Sequence, residues 1–221
     1  VSGETAAGGA SGGNAASQSG AWNPDRSITM LVPWSAGGGA DLSVRTLVPY
    51  LEDDLGVSIT VVNSTGANGW IAWNELLNAD PDGYTIGMIT FELSTYQHLG
   101  TSELTYADYE PLCRVNTDAA AVTVNAEWAS ANNITDLATF IDYCKAHPGE
   151  VQMGGSSNAS VWHIAGGYLM AAADIELQMI TYQEGAATAV QNAASGFIQG
   201  VTVSLAEARN FIQSGHLICL G

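Results

Sequence analysis

Ile28 to Arg45 reads ITMLVPWSAGGGADLSVR and passes through three kinds of local sequence. It begins with a short apolar run that is rich in strand formers and stops at Pro33. A loop with three consecutive glycines follows, and Asp41 begins a segment whose apolar residues recur at helical spacing. The stretch therefore predicts a strand, a glycine-rich loop and a helix in succession, with Pro49 kinking or dividing the helix and Gly56 ending it.

The same alternation continues through the rest of the chain. In the first half, runs at 57–62 and 84–90 predict strands, and 70–77 predicts a helix. In the second half we predict a helix capped by Thr135 at 135–147, further helices at 160–173, 185–195 and 205–213, and strands at 113–124, 150–153, 177–182, 197–204 and 216–220. Strands that alternate with helices predict an α/β fold with mostly parallel sheets flanked by helices.

Charge and composition narrow the classes of function. The 221 residues include 22 acidic and five basic side chains, for a formal net charge of −17, and such a surface repels nucleic acid and anionic lipid. Hydrophobic residues make up 47% of the chain, which suits a sizeable core, but no run of about 18 apolar residues predicts a membrane span. Because the chain has so few basic side chains, an anionic ligand must be bound mainly by backbone N–H groups and hydroxyls.

Two loops are candidates for that task, because each lies between the end of a strand and the start of a helix. In open α/β sheets, ligands bind at the carboxyl ends of the strands, where helix N-termini offer unpaired N–H groups and partial positive charge. The first loop is Ser35 to Ala40, and the second is Gly154 to Ser160, which reads GGSSNAS. A plain tight turn is the alternative for the first loop, and an ordinary helix cap by Ser160 is the alternative for the second.

The chain contains little that predicts catalysis. It has no G-x-S-x-G or H-E-x-x-H motif, and the three cysteines lack the spacing of a zinc site, so we expect no metal and no cofactor. Ser160 and His163 stand three apart and leave a hydrolase as an alternative, although His163 more commonly packs and caps a backbone group in such a setting. Asp41 and Arg45 stand four apart and predict a local ion pair.

The N-terminal residues differ in composition from the rest. Residues 1–20 form a Gly/Ser/Ala-rich tract without hydrophobic periodicity, which predicts a flexible tether over 1–21, with a frayed tail or an added linker as the alternative. A tether suits a domain held away from a membrane surface.

Several ordered motifs resemble one family. Ile28 to Arg45 resembles the strand, glycine loop and helix that open the tripartite tricarboxylate transporter receptors, which are Bug-type extracytoplasmic solute-binding proteins. The segment PDGYT at 81–85 is similar to another block of that family, and HPGE at 147–150 and GHL at 215–217 are similar to later ones. The likeness covers roughly residues 22 to 221.

The resemblance implies a fold and a division into lobes. It implies a type II periplasmic-binding-protein fold with lobe 1 at 22–105 and lobe 2, including two hinge strands, at 106–221; the C-terminal part of lobe 1 is expected to be missing. The hinge strands, 113–124 and 216–221, should pair antiparallel. The burial preference of cysteine favours buried free thiols, and the alternative is a Cys113–Cys219 disulfide, which that pairing could bring close enough to form.

The resemblance also implies a function and a set of ligand-binding residues. It implies a monomeric extracytoplasmic receptor, periplasmic or lipid-anchored, that passes a small carboxylate or amino-acid-like ligand to membrane permease subunits; a sensory ligand-binding module is a further alternative. The residues expected at the ligand are Trp34, Ala36, Gly37, Gly38, Gly39, Asp41, Glu92, Ser94, Ser156, Ser157, Asn158, Ser160, Gly185, Ala186 and Ser204.

One residue departs from the family pattern in an informative way. Glu92 follows the third predicted strand, in a segment that is normally small and neutral in this family. A carboxylate there would repel a second ligand carboxylate but could pair with a ligand ammonium or hydroxyl group. We therefore expect an amino acid or another polar acid rather than citrate, with a solvent-facing Glu92 as the alternative.

Overall fold

The computed structural model describes residues 22–183 and 185–221, so the predicted tether lies outside the described residues. The N-terminal lobe is built on a parallel sheet of three strands in the order β2-β1-β3, in which Ile28 pairs with Ile59 and Thr29 with Thr85. Its strands are β1 (Ile28–Val32), β2 (Ile59–Asn63) and β3 (Thr85–Gly87), and its helices are α1 (Gly39–Leu55), α2 (Trp70–Leu77) and α3 (Tyr96–Leu99).

The C-terminal lobe is built on a second sheet, with five strands in the order β6-β5-β7-β4-β8. Strand β4 runs antiparallel to both of its neighbours, β7 and β8, whereas β5 runs parallel to β6 and β7. The strands are β4 (Thr123–Asn125), β5 (Gln152–Gly154), β6 (Gln178–Ile180), β7 (Gly200–Val201) and β8 (Leu217–Cys219). The helices are α4 (Ala126–Ala131), α5 (Leu137–Ala146), α6 (Val161–Ala173), α7 (Ala186–Ala194) and α8 (Leu205–Gln213).

The predicted α/β class is confirmed, and its cause is visible in the burial of β1. Ile28, Leu31 and Val32 are at most 1% exposed, as expected for a parallel strand covered by helices on both faces. Helix α1 packs Val44 and Val48 against this sheet and continues through Pro49 without a break. The lost backbone hydrogen bond at the proline is evidently outweighed by this packing.

Three local predictions were wrong. The predicted strand at 113–124 forms a regular ladder only from Thr123 onward, preceded by a bridge at Ala120 and backbone hydrogen bonds at Ala121 and Val122, because residues 113–119 lie exposed, outside both sheets. The predicted strand at 197–204 shortens to Gly200–Val201. Helix α5 is capped by the side chain of Asp136 rather than Thr135, and Thr139 completes a reciprocal capping box.

The alternative of a Cys113–Cys219 disulfide does not hold. Strands β4 and β8 do pair antiparallel as expected, but Cys219 lies opposite Thr123 and not opposite Cys113. Both cysteines are free and exposed, whereas Cys144 is free and fully buried in the core of the C-terminal lobe. The expectation of free thiols is confirmed for all three cysteines, but their expected burial is confirmed only for Cys144.

Membrane spans were searched across residues 22–183 and 185–221. Every helix in these ranges is too short or too polar to traverse a bilayer.

Candidate functional site

A cavity of about 860 Å³ lies between the two lobes. Its walls come from the glycine loop before α1, the segment after β3, the first residues of α6 and α7, and α8. Eight of the predicted ligand-binding residues line it: Trp34, Gly38, Gly39, Glu92, Ser94, Ser156, Gly185 and Ala186. The other seven do not line it: Ala36, Gly37, Asp41, Ser157, Asn158, Ser160 and Ser204.

The glycine loop places the N-terminus of α1 at the cavity wall. A carboxylate of the opposite lobe binds this N-terminus. The Gly39 N–H donates to Oε1 of Glu207, which lies on α8, at 2.8 Å. A Cβ atom built at Gly39 would stand 3.2 Å from the same oxygen, so the absence of a side chain lets the carboxylate approach the backbone. Burial raises the pKa of Glu207, and the neighbouring Asp118 carboxylate adds to the effect.

Asp41 stabilises the same loop from below the cavity. Its buried carboxylate accepts hydrogen bonds from the Gly37 N–H and from Arg45 Nε, each at 2.9 Å, and from Asn63 Nδ2 at 3.0 Å. Burial acts to raise the pKa of Asp41, but these hydrogen bonds outweigh burial and lower it. The predicted Asp41–Arg45 ion pair is confirmed, and the contacts show Asp41 holding the loop.

The N-terminus of α6, in the C-terminal lobe, likewise binds a carboxylate of the opposite lobe. Glu92, from the N-terminal lobe, is 1% exposed, and its Oε1 accepts from the Val161 N–H at 2.9 Å. Its Oε2 accepts from the Thr90 hydroxyl at 2.6 Å, and that hydroxyl accepts in turn from Trp34 Nε1 at 3.1 Å. The alternative of a solvent-facing Glu92 was therefore wrong.

Residues of the hydroxyl-rich loop before α6 make hydrogen bonds both within the C-terminal lobe and to the N-terminal lobe. Ser160 caps α6, as the sequence alternative allowed, and accepts from Ser156, which is buried at the cavity wall. Ser157 and the carbonyl of Asn158 instead hydrogen-bond to Asn68 of the N-terminal lobe. Ser157 and Asn158 thus tie the lobes together beside the cavity.

The third helix N-terminus at the cavity belongs to α7. Its cap residue is Gly185, which has φ of 125°, and no side chain among the described residues caps the helix. The Oγ atom of Ser35 lies close by, 3.4 Å from where a Gly185 Cβ would stand. Within the described ranges, this hydroxyl oxygen is buried and has no hydrogen-bond partner. The N-terminus of α7 and Ser35 together offer polar groups that no side-chain carboxylate of the described residues engages.

Ser160 and His163 do not form a catalytic pair. The Ser160 side chain is fully buried, and the His163 ring accepts from the Ala159 N–H at 3.0 Å through Nδ1. His163 therefore caps a backbone group, as its sequence position favoured, and within the described ranges its ring is not oriented toward the Ser160 hydroxyl as a general base.

The sequence analysis missed Glu207, which lies closest to the glycine loop. Ser204 to Glu207 has the S-x-x-E pattern of a local capping box, and Ser204 does cap α8. The Glu207 carboxylate, however, reaches Gly39, 168 positions away in the chain. Nothing local in the sequence signals such a contact, although an acidic residue at that position was visible.

Comparison with solved structures defines the class of protein. A protein described as a periplasmic transporter superposes with a TM-score of 0.79 at 27% identity, covering 90% of this chain and 66% of the other. An R. palustris protein, Rpa4515, solved with adipate, has the same fold, with a TM-score of 0.77 at 23% identity over 90% of this chain and 66% of its own. The two sheets around a cavity therefore form a two-lobed periplasmic-binding-protein fold.

Comparison of sequences identifies the family. The sequence model of the tripartite tricarboxylate transporter family receptors matches residues 44–221. Protein BugT of Bordetella pertussis is 28% identical over 203 residues, or 89% of this chain and 60% of BugT. The chain belongs to the tripartite tricarboxylate transporter family receptors, and it spans about 60% of the length of this curated relative.

Proposed function

We propose that this chain is the ligand-binding part of an extracytoplasmic receptor that captures a small carboxylate-bearing solute between its lobes. The receptor would deliver the solute to the permease subunits of a tripartite tricarboxylate-type transporter. The observation that carries the proposal is the cavity of about 860 Å³ between the lobes, toward which three helix N-termini point in a chain of this family.

The chemistry of the cavity wall supports binding of a carboxylate by backbone groups. Oxygens of Glu207 and Glu92 stand 2.8 Å from the Gly39 nitrogen and 2.9 Å from the Val161 nitrogen, so two of the three N-termini already bind carboxylates in this geometry. The N-terminus of α7 is the position we propose for a ligand carboxylate, and beside it lies the Ser35 hydroxyl, which has no hydrogen-bond partner among the described residues. The adipate in the related R. palustris structure is a solute of the same chemical class.

Binding tests this proposal directly. We expect at least one acid from a set of mono-, di- and tricarboxylates and amino acids to raise the unfolding temperature of the purified chain. At 100 times its dissociation constant it would add about 2.7 kcal/mol of stability. The recovered ligand should be chemically unchanged, which separates a receptor from a hydrolase. If no acid shifts the unfolding of the folded chain, the carboxylate assignment is wrong.

A single substitution tests the proposed position of the carboxylate. Ala186→Pro removes the first N–H of α7 while keeping a residue that is well tolerated at the first position of a helix. Binding of the acid should weaken by roughly tenfold, the equivalent of one good hydrogen bond. Leu137→Pro, at the first position of α5 and outside the cavity, is the matched control and should leave affinity unchanged. Equal affinity in the Ala186→Pro and unsubstituted chains would place the ligand carboxylate elsewhere.

A further inference from the structure

Two of the three helix N-termini at the cavity are already occupied by carboxylates of the chain itself. Glu207 of the C-terminal lobe binds the N-terminus of α1 in the N-terminal lobe, and Glu92 of the N-terminal lobe binds the N-terminus of α6 in the C-terminal lobe. A ligand with two carboxylates therefore finds two backbone positions filled by groups of its own charge and one that no carboxylate of residues 22–183 and 185–221 engages.

The remaining charges at the cavity have the same sign. Among the cavity-lining residues of the described ranges there are three carboxylates, Glu92, Asp118 and Glu207, and no lysine or arginine. Both oxygens of Glu92 are hydrogen-bonded within about 3 Å, so its charge is compensated locally. Glu207 is compensated less well, because its Oε2 has only the Ser204 hydroxyl at 3.4 Å.

Asp118 makes the region around Glu207 still more negative. It is exposed and lines the cavity, and its carboxylate accepts a hydrogen bond from the neighbouring Ala119 N–H. Both carboxylates line the same cavity, and the Asp118 charge adds to the effect of burial in raising the pKa of Glu207. A positively charged group placed between these two side chains would be attracted by both, and a second ligand carboxylate would be repelled by both.

We propose that Glu207, assisted by Asp118, makes this receptor selective for solutes that combine one carboxylate with one positively charged group. The inference rests on the proposed function, since the ligand carboxylate is assigned to the N-terminus of α7. Glu207 holds the α1 site closed to a second carboxylate and presents its less engaged oxygen to an ammonium group. The substrate class is thus zwitterionic, such as an amino acid or an ω-amino acid, rather than a di- or tricarboxylate.

Calorimetry with solutes of matched skeleton tests the inference. The probes are adipate, 6-aminohexanoate and 1,6-diaminohexane, together with the shorter pairs glutarate and 5-aminopentanoate, and succinate and 4-aminobutyrate, all at one ionic strength. In at least one pair the ω-amino acid should bind at least about tenfold more tightly than the dicarboxylate. Glu207→Gln should reduce that ratio severalfold, and Glu127→Gln, on an exposed residue of α4 outside the cavity, should preserve it.

Each outcome separates this inference from the proposed function. A dicarboxylate that binds as tightly as its amino analogue, or a ratio that Glu207→Gln leaves unchanged, overturns the inference and leaves the carboxylate receptor standing. Binding of the diamine alone supports the cation site but overturns the carboxylate assignment. If no acid in any pair binds, both proposals fall. Should Glu207→Gln fail to fold by circular dichroism, Asp118→Asn on the exposed side chain replaces it, with a smaller change in the same direction.

Discussion

Replacing Asp41 by alanine should destabilise the chain more than any other single change near the glycine loop. Asp41 is 1% exposed and accepts hydrogen bonds from Gly37, Arg45 and Asn63. Its removal leaves the half-buried Asn63 amide without one of its two acceptors, while the exposed Gly37 N–H can bind water instead. The Arg45 guanidinium is about half exposed, so losing that pair contributes little.

The magnitude follows from these contacts. A hydrogen bond to a charged group contributes about 1.5–3 kcal/mol, and the exposed parts of the network add at most about 1 kcal/mol. We expect Asp41→Ala to lower the free energy of unfolding by about 2–4 kcal/mol, and the unfolding temperature by roughly 5–15 °C. Arg45→Ala should cost no more than about 1 kcal/mol, because water can replace the exposed guanidinium.

Urea unfolding followed by circular dichroism measures these differences. Asp54→Ala, on the exposed face of the same helix, is the control and should remain within about 0.5 kcal/mol of the unsubstituted chain. The argument is refuted if Asp41→Ala costs no more than Asp54→Ala, or if Arg45→Ala costs as much as Asp41→Ala. Because the pKa of Asp41 is lowered, its stabilisation should also disappear as the pH falls below the ordinary range of an aspartate.

Three further measurements probe other parts of the molecule. Gly200→Ala would place a Cβ 2.6 Å from the carbonyl oxygen of Thr123 and should lower the free energy of unfolding by about 1–3 kcal/mol. Gly167→Ala, with open space around it in α6, should raise that free energy by about 0.5–1 kcal/mol, because alanine favours the helix. Urea unfolding measures both changes, and equal effects of the two substitutions would contradict the packing argument. Because burial raises the pKa of Glu207, the stability of the unsubstituted chain relative to Glu207→Gln should increase as the pH falls from neutral toward the ordinary range of a glutamate, and a pH-independent difference would argue against burial of the charge. Burial raises the pKa of Cys144 to about 11, so a thiol reagent at neutral pH should modify the other two cysteines and spare Cys144 until the chain is unfolded, as mass spectrometry would show; rapid labelling of Cys144 in the folded chain would contradict its burial.

Features encoded by neighbouring residues were predictable from the sequence. The alternation of strand and helix gave the α/β class, Gly56 ends α1, Ser160 caps α6, and Asp41 pairs with Arg45. Each of these depends on contacts within about one helical turn, where residue type and spacing determine the geometry. The boundaries of the two lobes and the roles of the ligand-binding residues stay predictions.

Features that depend on distant contacts could not be predicted in the same way. The apolar run at 197–204 has the composition of a strand, yet the regular ladder covers only Gly200 and Val201, although backbone hydrogen bonds to neighbouring segments extend from Gln199 to Val203. Glu207 stands at the fourth position of the S-x-x-E capping pattern of α8, but its carboxylate binds the N-terminus of α1 in the other lobe. Strand length and side-chain direction are set by the neighbours that folding brings close, and a single sequence does not name those neighbours.

The hydrogen-bond donors of the three helix N-termini at the cavity are main-chain N–H groups, which bears on how related chains diverge in sequence. A substitution can delete a side chain but, proline aside, cannot delete the N–H groups of Gly39, Val161 or Ala186, so the capacity to hold anions is inherited with the backbone. What mutation can alter is which of these positions the chain itself fills. Under the proposed selectivity, gain or loss of one acidic residue, as at 92 or 207, would be enough to move a descendant between solutes of different charge without rebuilding the fold.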